Sequence, residues 1–364
     1  MRRIALRYNQ IVVMHPVLSS DVTSSLADQS AVRDQFQALV SGCGVYDLGS
    51  RAKIRLTRAD RVRWLNGMIT NNVRDLAPRH GVYAFLLNAQ GHIQADLYAY
   101  NLGDSLLIDT DATQRDKVLQ LFDHYIISDD VEVRDESSTL TAIGITGPNA
   151  RSVLQAAGIH VPDLAPLELC TPECDCACGC LQCTLVRREA PISDQGDGRG
   201  DAPAGTSYEI WLSPEHVEST LHALLSAGAM SVGADALDLY RIRQGVPRFA
   251  VDIRDKDLPQ ETGQMRALSF TKGCYLGQEI VERIHSRGAV HRQFTAFSVE
   301  GPLPAPGTKI YADEKEVGEI TSSALLPLHE NDRAVALGYL RREALDKSLQ
   351  AATATLKPVS LPVV

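Results

Sequence analysis

The run Lys272-Gly273-Cys274-Tyr275-Leu276-Gly277-Gln278-Glu279 places one thiol among residues able to activate it. From Gly277 onward Ile280, Val281 and Ile284 recur at helical spacing, Glu279 stands four residues before Arg283, and Gly288 is placed to end a helix. Cys274 is therefore expected just ahead of a helix N-terminus, where exposed backbone N–H groups and the positive end of the dipole favour an anion. Lys272 would add a charge nearby, so the spacing predicts a thiol biased toward thiolate, the form that acts as nucleophile and metal ligand. The plainer alternative is a small buried apolar Cys274 with glycines that only serve a tight turn.

A second concentration of thiols lies upstream: Cys170, Cys174, Cys176, Cys178, Cys180 and Cys183. On a strand, Cys174 to Cys180 would share one face, because side chains alternate with a period of two. A compact metal site needs a turn instead, and Cys180-Leu181-Gln182-Cys183 has a two-residue spacing suited to thiolate ligation. Three readings stand: an unliganded peripheral hairpin, a zinc or iron–sulfur site drawing on Cys174, Cys176, Cys178, Cys180 and Cys183, or reversible disulfide chemistry. Ile192 to Thr206, rich in Gly, Asp and Pro, is expected to be a mobile loop.

Composition narrows the function classes. A net charge of −9 over 364 residues argues against a nucleic-acid-binding face, and no apolar run approaches the length of a membrane helix. Arg283, His285, Arg287, His291 and Arg292 form a local basic segment that suits either an anionic small molecule or a solvated helix end. Residues 1–23 read as a loose tail. Its Arg2, Arg3 and Arg7 leave a mitochondrial matrix address as the alternative to a cytoplasmic location.

The elements that must position these residues follow in order. Helical spacing marks Ser24 to Gly42, Asp60 to Met68, Gln114 to Tyr125, Pro148 to Ala157, Pro214 to Ala227 and Ala236 to Arg243. Alternation marks strands over Ala52 to Thr57, Ser105 to Asp109, Val131 to Val133, Thr139 to Thr146, Leu181 to Arg187 and Ser207 to Leu212, with a hairpin of Tyr83 to Leu87 and His92 to Leu97. Strands with interspersed helices, several connected antiparallel, indicate an α+β fold. Past Arg292, short strands separated by Gly and Pro turns suggest a small β-barrel, so residues 24–290 and 291–364 are expected to form separate domains.

The pattern Lys272-Gly273-Cys274-Tyr275-x-Gly277-Gln278-Glu279-x-x-x-Arg283, followed by Gly288 and Arg292, resembles the signature of the YgfZ family of folate-binding proteins. That family is related to the glycine cleavage T-protein (aminomethyltransferase). The resemblance extends through Arg51 to Thr57, Leu65 to Asn71, Tyr83, Leu87-Asn88, Gly91 and Asp96, then Glu209, Arg241, Leu258-Pro259-Gln260-Glu261 and Gly338-Tyr339-Leu340. It implies a three-lobed T-protein-like fold with two interleaved lobes and a C-terminal barrel. It further implies tetrahydrofolate or a one-carbon derivative bound by Tyr83, Asp96, Glu209 and Arg241, with Lys272, Cys274 and Asp96 as the acting groups. Partners implied are iron–sulfur client or assembly proteins, with Cys274 as nucleophile, redox thiol or ligand of a transient cluster. One departure bears on the reaction: T-proteins usually carry two adjacent acids where this chain has Ala95-Asp96, which puts aminomethyl transfer in doubt. The competing readings are a true folate-dependent aminomethyltransferase and a metal-binding or thiol-relay module built on Cys170 to Cys183.

Overall fold

The computed structural model describes residues 26–172, 183–188, 206–288, 290–328 and 331–363. Helix α1 (Leu26–Ser41) leads into β1 (Gly44–Asp47). Next come β2 (Arg51–Thr57), α2 (Arg61–Met68), the hairpin β3 (Gly81–Leu87) and β4 (Ile93–Asn101), β5 (Leu106–Asp111), α3 (Arg115–Tyr125) and β6 (Glu132–Asp135). The chain continues through β7 (Thr141–Thr146), α4 (Ala150–Ala156), β8 (Leu169–Cys170), β9 (Thr184–Arg187), β10 (Ser207–Leu212), α5 (Val217–Ser226), β11 (Met230–Ser231), α6 (Ala234–Gln244) and α7 (Gln278–Arg287). Strands β12 (Arg292–Glu300), β13 (Lys309–Ala312), β14 (Lys315–Pro327), β15 (Asp332–Arg341), β16 (Leu349–Ala351) and β17 (Ala354–Pro358) follow.

These strands make two open sheets and a closed barrel. The first sheet, in the order β3-β4-β5-β2-β6, is inserted in sequence between β1 and β7 of the second, whose order is β11-β1-β7-β10-β9-β8. The barrel runs β12-β15-β14-β13-β16-β17. The fold is α+β, as the strand and helix pattern predicts, and three-lobed, as the family resemblance implies. The short strands β8, β11 and β16 escape sequence reading, because two or three residues carry no measurable alternation.

Side-chain alternation decides what each sheet face does. On the first sheet Ile54, Leu56, Ala84, Leu86, Ala95, Leu97, Leu106 and Ile108 form a core with Trp64, Leu65 and Met68 of α2 and Val118 and Phe122 of α3. The alternate residues Arg51, Lys53, Tyr83, Asp96, Tyr98, Tyr100 and Asp109 must then emerge from the opposite face. On the second sheet Ile143, Ile145, Tyr208, Ile210 and Leu212 pack against α4 and α5, which turns Glu209 and Trp211 the other way. The two freed faces meet: Tyr100 and Leu107 from one pack with Ala142, Leu169, Val186 and Trp211 from the other. The polar residues of both sheets share this inter-sheet layer.

Candidate functional site between the two sheets

Asp96 is half-buried on β4, and neighbours orient both of its oxygens. Tyr83 Oη donates to Oδ2 at 2.8 Å and Gln114 Nε2 donates to Oδ1 at 2.7 Å, while the Asp96 backbone N–H donates to Gln114 Oε1 at 2.9 Å. Burial, reinforced by the Asp96 charge, pushes the Tyr83 phenol well above its ordinary pKa, so it remains a donor. A carboxylate has roughly four lone-pair directions, so two bonds leave Asp96 able to accept from a ligand. Ala95, pointing the other way, is fully buried in the core with Ile54 and Leu97, so a second acid there would be a buried charge without a partner. Gln114 was not singled out in the sequence. It closes a 3₁₀ turn, Ala112–Gln114, where helical periodicity shows only the start of a helix.

From Asp96 an aromatic wall leads to Glu209. The Tyr83 ring lies 4.9 Å from that of Tyr98, and the Arg188 guanidinium lies 3.7 Å from the Tyr98 centroid on the way to Glu209. Arg188 Nε is 3.3 Å from Glu209 Oε1, and Trp211 Nε1 donates to Oε2 at 2.9 Å. Arg188 Nη1 also donates to Tyr100 Oη at 2.8 Å. Behind this pair Asp109 accepts from Arg51 Nε at 2.8 Å and Lys53 Nζ at 2.9 Å, both fully buried acid and lysine lying within the sheet layer. Desolvation works to raise the pKa of Asp109, but Arg51, Lys53 and Arg188 together outweigh it and hold the carboxyl below its ordinary value. Lys53 is depressed, chiefly by desolvation. Arg188 is held charged, because Glu209, Tyr100, Tyr98 and Asp109 override its burial. The available signal for this cluster was a charge on every second residue of an otherwise apolar strand, as in Arg51-Ala-Lys53-Ile-Arg55-Leu. A lone Asp109 after Leu-Leu-Ile gave the same hint.

The cysteine loop is tied to the same region. Cys274 is exposed, which removes the reading of a buried apolar thiol. Its neighbours anchor it: Tyr275 is buried with Tyr83, Phe85 and Leu268, and Leu276 N–H donates to Gly67 O at 3.0 Å. Lys272 departs from expectation. Its Nζ is buried and donates to the carbonyls of Asn66 at 2.6 Å, Ile69 at 2.6 Å and Asn71 at 2.7 Å, capping the end of α2 rather than standing free beside the thiol. Desolvation, with Arg74 nearby, pulls its pKa down to about 7. The three carbonyl dipoles act in the opposite sense, favouring the ammonium. Asn71 carries the connection onward, its Nδ2 donating at 2.8 Å to both Tyr83 O and Arg266 O.

The helix itself is docked by two glycines. Gly277, at φ +81°, starts α7, and a Cβ there would lie 2.5 Å from Asn88 O of the β3–β4 turn. In return Ile280 sits against Gly91, where a Cβ would meet its side chain at 2.8 Å. Gln278 turns back, its Oε1 accepting from Tyr275 N–H at 3.2 Å. Glu279, Arg283 and His285 are exposed, with His285 stacked on Phe270 at 3.9 Å. Gly273 is also exposed.

Arg241 and Arg292 are engaged elsewhere. Arg241 donates from Nε to Asp238 at 2.6 Å, from Nη1 to Asp252 at 2.8 Å and from Nη2 to Ser322 at 2.9 Å, joining α6 to the barrel. Arg292 binds Glu261 and Asp257, clamping the Pro259–Thr262 turn onto β12, and lies 4.6 Å from the Tyr339 ring. Of the clustered cysteines, Cys170 and Cys183 pack at the edge of the α4–α5 core. Cys174, Cys176, Cys178 and Cys180 lie outside the described residues, as do the N-terminal tail and nearly all of the expected mobile loop. Among the described residues no three His, Cys, Asp or Glu side chains converge as a metal site, and no helix is long and apolar enough to cross a membrane.

The comparison with solved structures decides the fold. The glycine cleavage system aminomethyltransferase T from Bartonella henselae superposes with a TM-score of 0.77 at 19% identity, covering 92% of this chain and 89% of that one. This chain has a GcvT-like fold. Its residues 6–164 match the GCVT N-terminal domain, and residues 291–362 match the CAF17 C-terminal beta-barrel domain. Among curated relatives, an aminomethyltransferase of Rippkaea orientalis is 25% identical over 86% of the GcvT-like chain and 82% of its own length. A chloroplastic putative transferase of Arabidopsis thaliana is 23% identical over 90% of this chain and 71% of its own length.

Proposed function

We propose that this GcvT-like protein binds a reduced folate in the inter-sheet layer and uses Cys274, beside that site, in the assembly or repair of iron–sulfur enzymes. The observation that carries the reading is the continuous wall Asp96–Tyr83–Tyr98–Arg188–Glu209, which offers one half-open carboxylate, flat aromatic faces and a second carboxylate to a planar heterocycle. That acceptor set fits a pterin: its ring stacks on tyrosine, its ring N–H groups need carboxylate acceptors, and the Asp96 carboxylate can accept a hydrogen bond beside a reacting nitrogen. Bound tetrahydrofolate would supply a nucleophilic nitrogen able to carry a one-carbon unit. The chain's own residues orient it, with Tyr83 and Gln114 fixing the Asp96 carboxylate.

A folate-binding protein of this family type, rather than an aminomethyltransferase, is favoured by Ala95, whose buried position leaves Asp96 as the only acid of the pair. The C-terminal CAF17-type barrel and the exposed, anchored Cys274 support the iron–sulfur part of the reading. A single thiol cannot hold a cluster alone, so the remaining ligands would come from a client protein, a small thiol or the Cys170 to Cys183 stretch. The test is calorimetric titration of anaerobically purified protein with tetrahydrofolate, native and Asp96→Asn. Saturable binding weakened tenfold or more by the substitution supports the site, and equal affinities remove it. The thiol is tested separately: iron–sulfur enzyme activities that stay normal in cells relying on Cys274→Ala would end its assignment. Glycine cleavage activity with a lipoylated carrier protein would favour the aminomethyltransferase instead.

A further inference from the structure

Arg188 sits where the folate reading would put part of the ligand. Its guanidinium is a planar N–C–N group lying 3.7 Å from the Tyr98 centroid, with Nε 3.3 Å from Glu209 Oε1. The aminopyrimidine end of a pterin presents the same outline: a flat π face and adjacent N–H donors on an N–C–N edge. Glu209 and Tyr98 therefore satisfy a side chain of this chain with the contacts that would recognise such a ring. Glu209 is only 5% exposed, with Arg188 against Oε1 and Trp211 Nε1 donating to Oε2.

We propose that Arg188 is an internal occupant of the pterin subsite, and that it sets affinity by competing with the folate for Glu209 and Tyr98. This rests on the folate reading above. Release needs only side-chain rotation, because the Arg188 backbone N–H is fixed to Ser207 O at 2.8 Å. The charge balance permits it as well. Arg51, Lys53 and Arg188 face Asp109 and Glu209, so withdrawing Arg188 leaves two basic groups with two acids. Observed affinity is the intrinsic affinity reduced by the fraction of molecules whose subsite is open. Removing the competitor should raise it.

The experiment is anaerobic calorimetry with tetrahydrofolate on the native protein, Arg188→Met and Arg188→Ala, with thermal unfolding run in parallel to confirm folding. At least tenfold tighter binding in the variants is expected. In Arg188→Ala, added methylguanidinium at millimolar concentration should weaken folate binding again by refilling the slot, an effect a purely structural arginine would not produce. Native binding with equal or weaker binding in folded variants overturns the competitor role and leaves the folate reading standing. Binding by the variants alone supports both. No binding by any of the proteins overturns both. If Arg188→Ala and Arg188→Met fail to fold, Arg188→Lys keeps the charge without the planar fork, and it too should bind more tightly; an unchanged affinity there counts against the proposal.

Discussion

Asp109 shows how a single residue holds the inter-sheet layer together. It is fully buried with Arg51 and Lys53 on one oxygen and Arg188 3.5 Å from the other. Asp109→Asn would leave these cations facing Glu209 alone, and breaking a buried ion pair from one side costs about 3–5 kcal/mol. Urea unfolding at neutral pH should show that loss. The pH dependence follows from the direction of the shift: the folded-state pKa lies below the unfolded value of about 3.9, so the folded state binds this proton less readily. The carboxylate's contribution is therefore complete above about pH 4 and disappears as the pH falls through the folded value. The native protein and Asp109→Asn should converge in stability on acidification, and a gap that widened there would refute this account. Lys272→Met makes a complementary case, leaving the carbonyls of Asn66, Ile69 and Asn71 without their donor. A loss of about 1–3 kcal/mol is expected for the unmet acceptors, measured by the same unfolding.

At the scale of elements, the docking of α7 on the β3–β4 turn is what fixes the cysteine loop in space. Gly277→Ala meets two penalties, a left-handed φ of +81° and a Cβ 2.5 Å from a backbone oxygen that cannot rotate away. Gly288→Ala, at φ +87° with nothing within 4 Å, meets only the first. The left-handed conformation alone costs roughly 1–2 kcal/mol, so Gly288→Ala should fall in that range and Gly277→Ala clearly beyond it. Thermal unfolding of the two variants side by side decides the matter. Equal losses would mean that the turn gives way and the close approach is unimportant.

Across the whole molecule, the barrel is joined to the rest through hydrogen bonds from Thr321 and Ser322 to the buried Arg241–Asp252 pair rather than through the inter-sheet site. Asp252 is fully buried and accepts from Arg241, the Arg248 backbone N–H and the hydroxyls of Thr321 and Ser322. Apolar packing of Phe36, Leu39 and Ile242 on Leu326 and Leu337 seals the same seam. Arg241→Met should therefore cost about 3–5 kcal/mol by stranding the Asp252 charge. With all its donor nitrogens committed in the seam, the same variant is expected to keep native tetrahydrofolate affinity while folded. A tenfold weaker Kd at temperatures where it remains folded would instead put Arg241 at the ligand, as the T-protein resemblance implies.

What the chain order and side-chain types determined by themselves was local. Ile54 and Leu56, Tyr83 to Leu87 and Ile93 to Leu97 alternate plainly, Ile280, Val281 and Ile284 mark α7, and Gly277 and Gly288 bracket it, because strand and helix periods are written into neighbouring residues. The cysteine motif was visible for the same reason, as a short pattern, whereas Asp96 was singled out only by the family resemblance. Arg188, Asp109 and Gln114 were not, since their meaning lies in partners 18 to 90 residues away. Arg188 lies beside Glu209, Tyr98, Tyr100 and Asp109 only because the first sheet is inserted between β1 and β7 of the second and the two freed faces close on each other. The fate of a charge was equally invisible: Lys272 looks like a cation beside a thiol until the carbonyls of Asn66, Ile69 and Asn71, at and just past the end of α2, accept its three N–H bonds. Tertiary structure decided both, because burial and pairing, which set the energy of an ionised group, depend on what the fold brings opposite it.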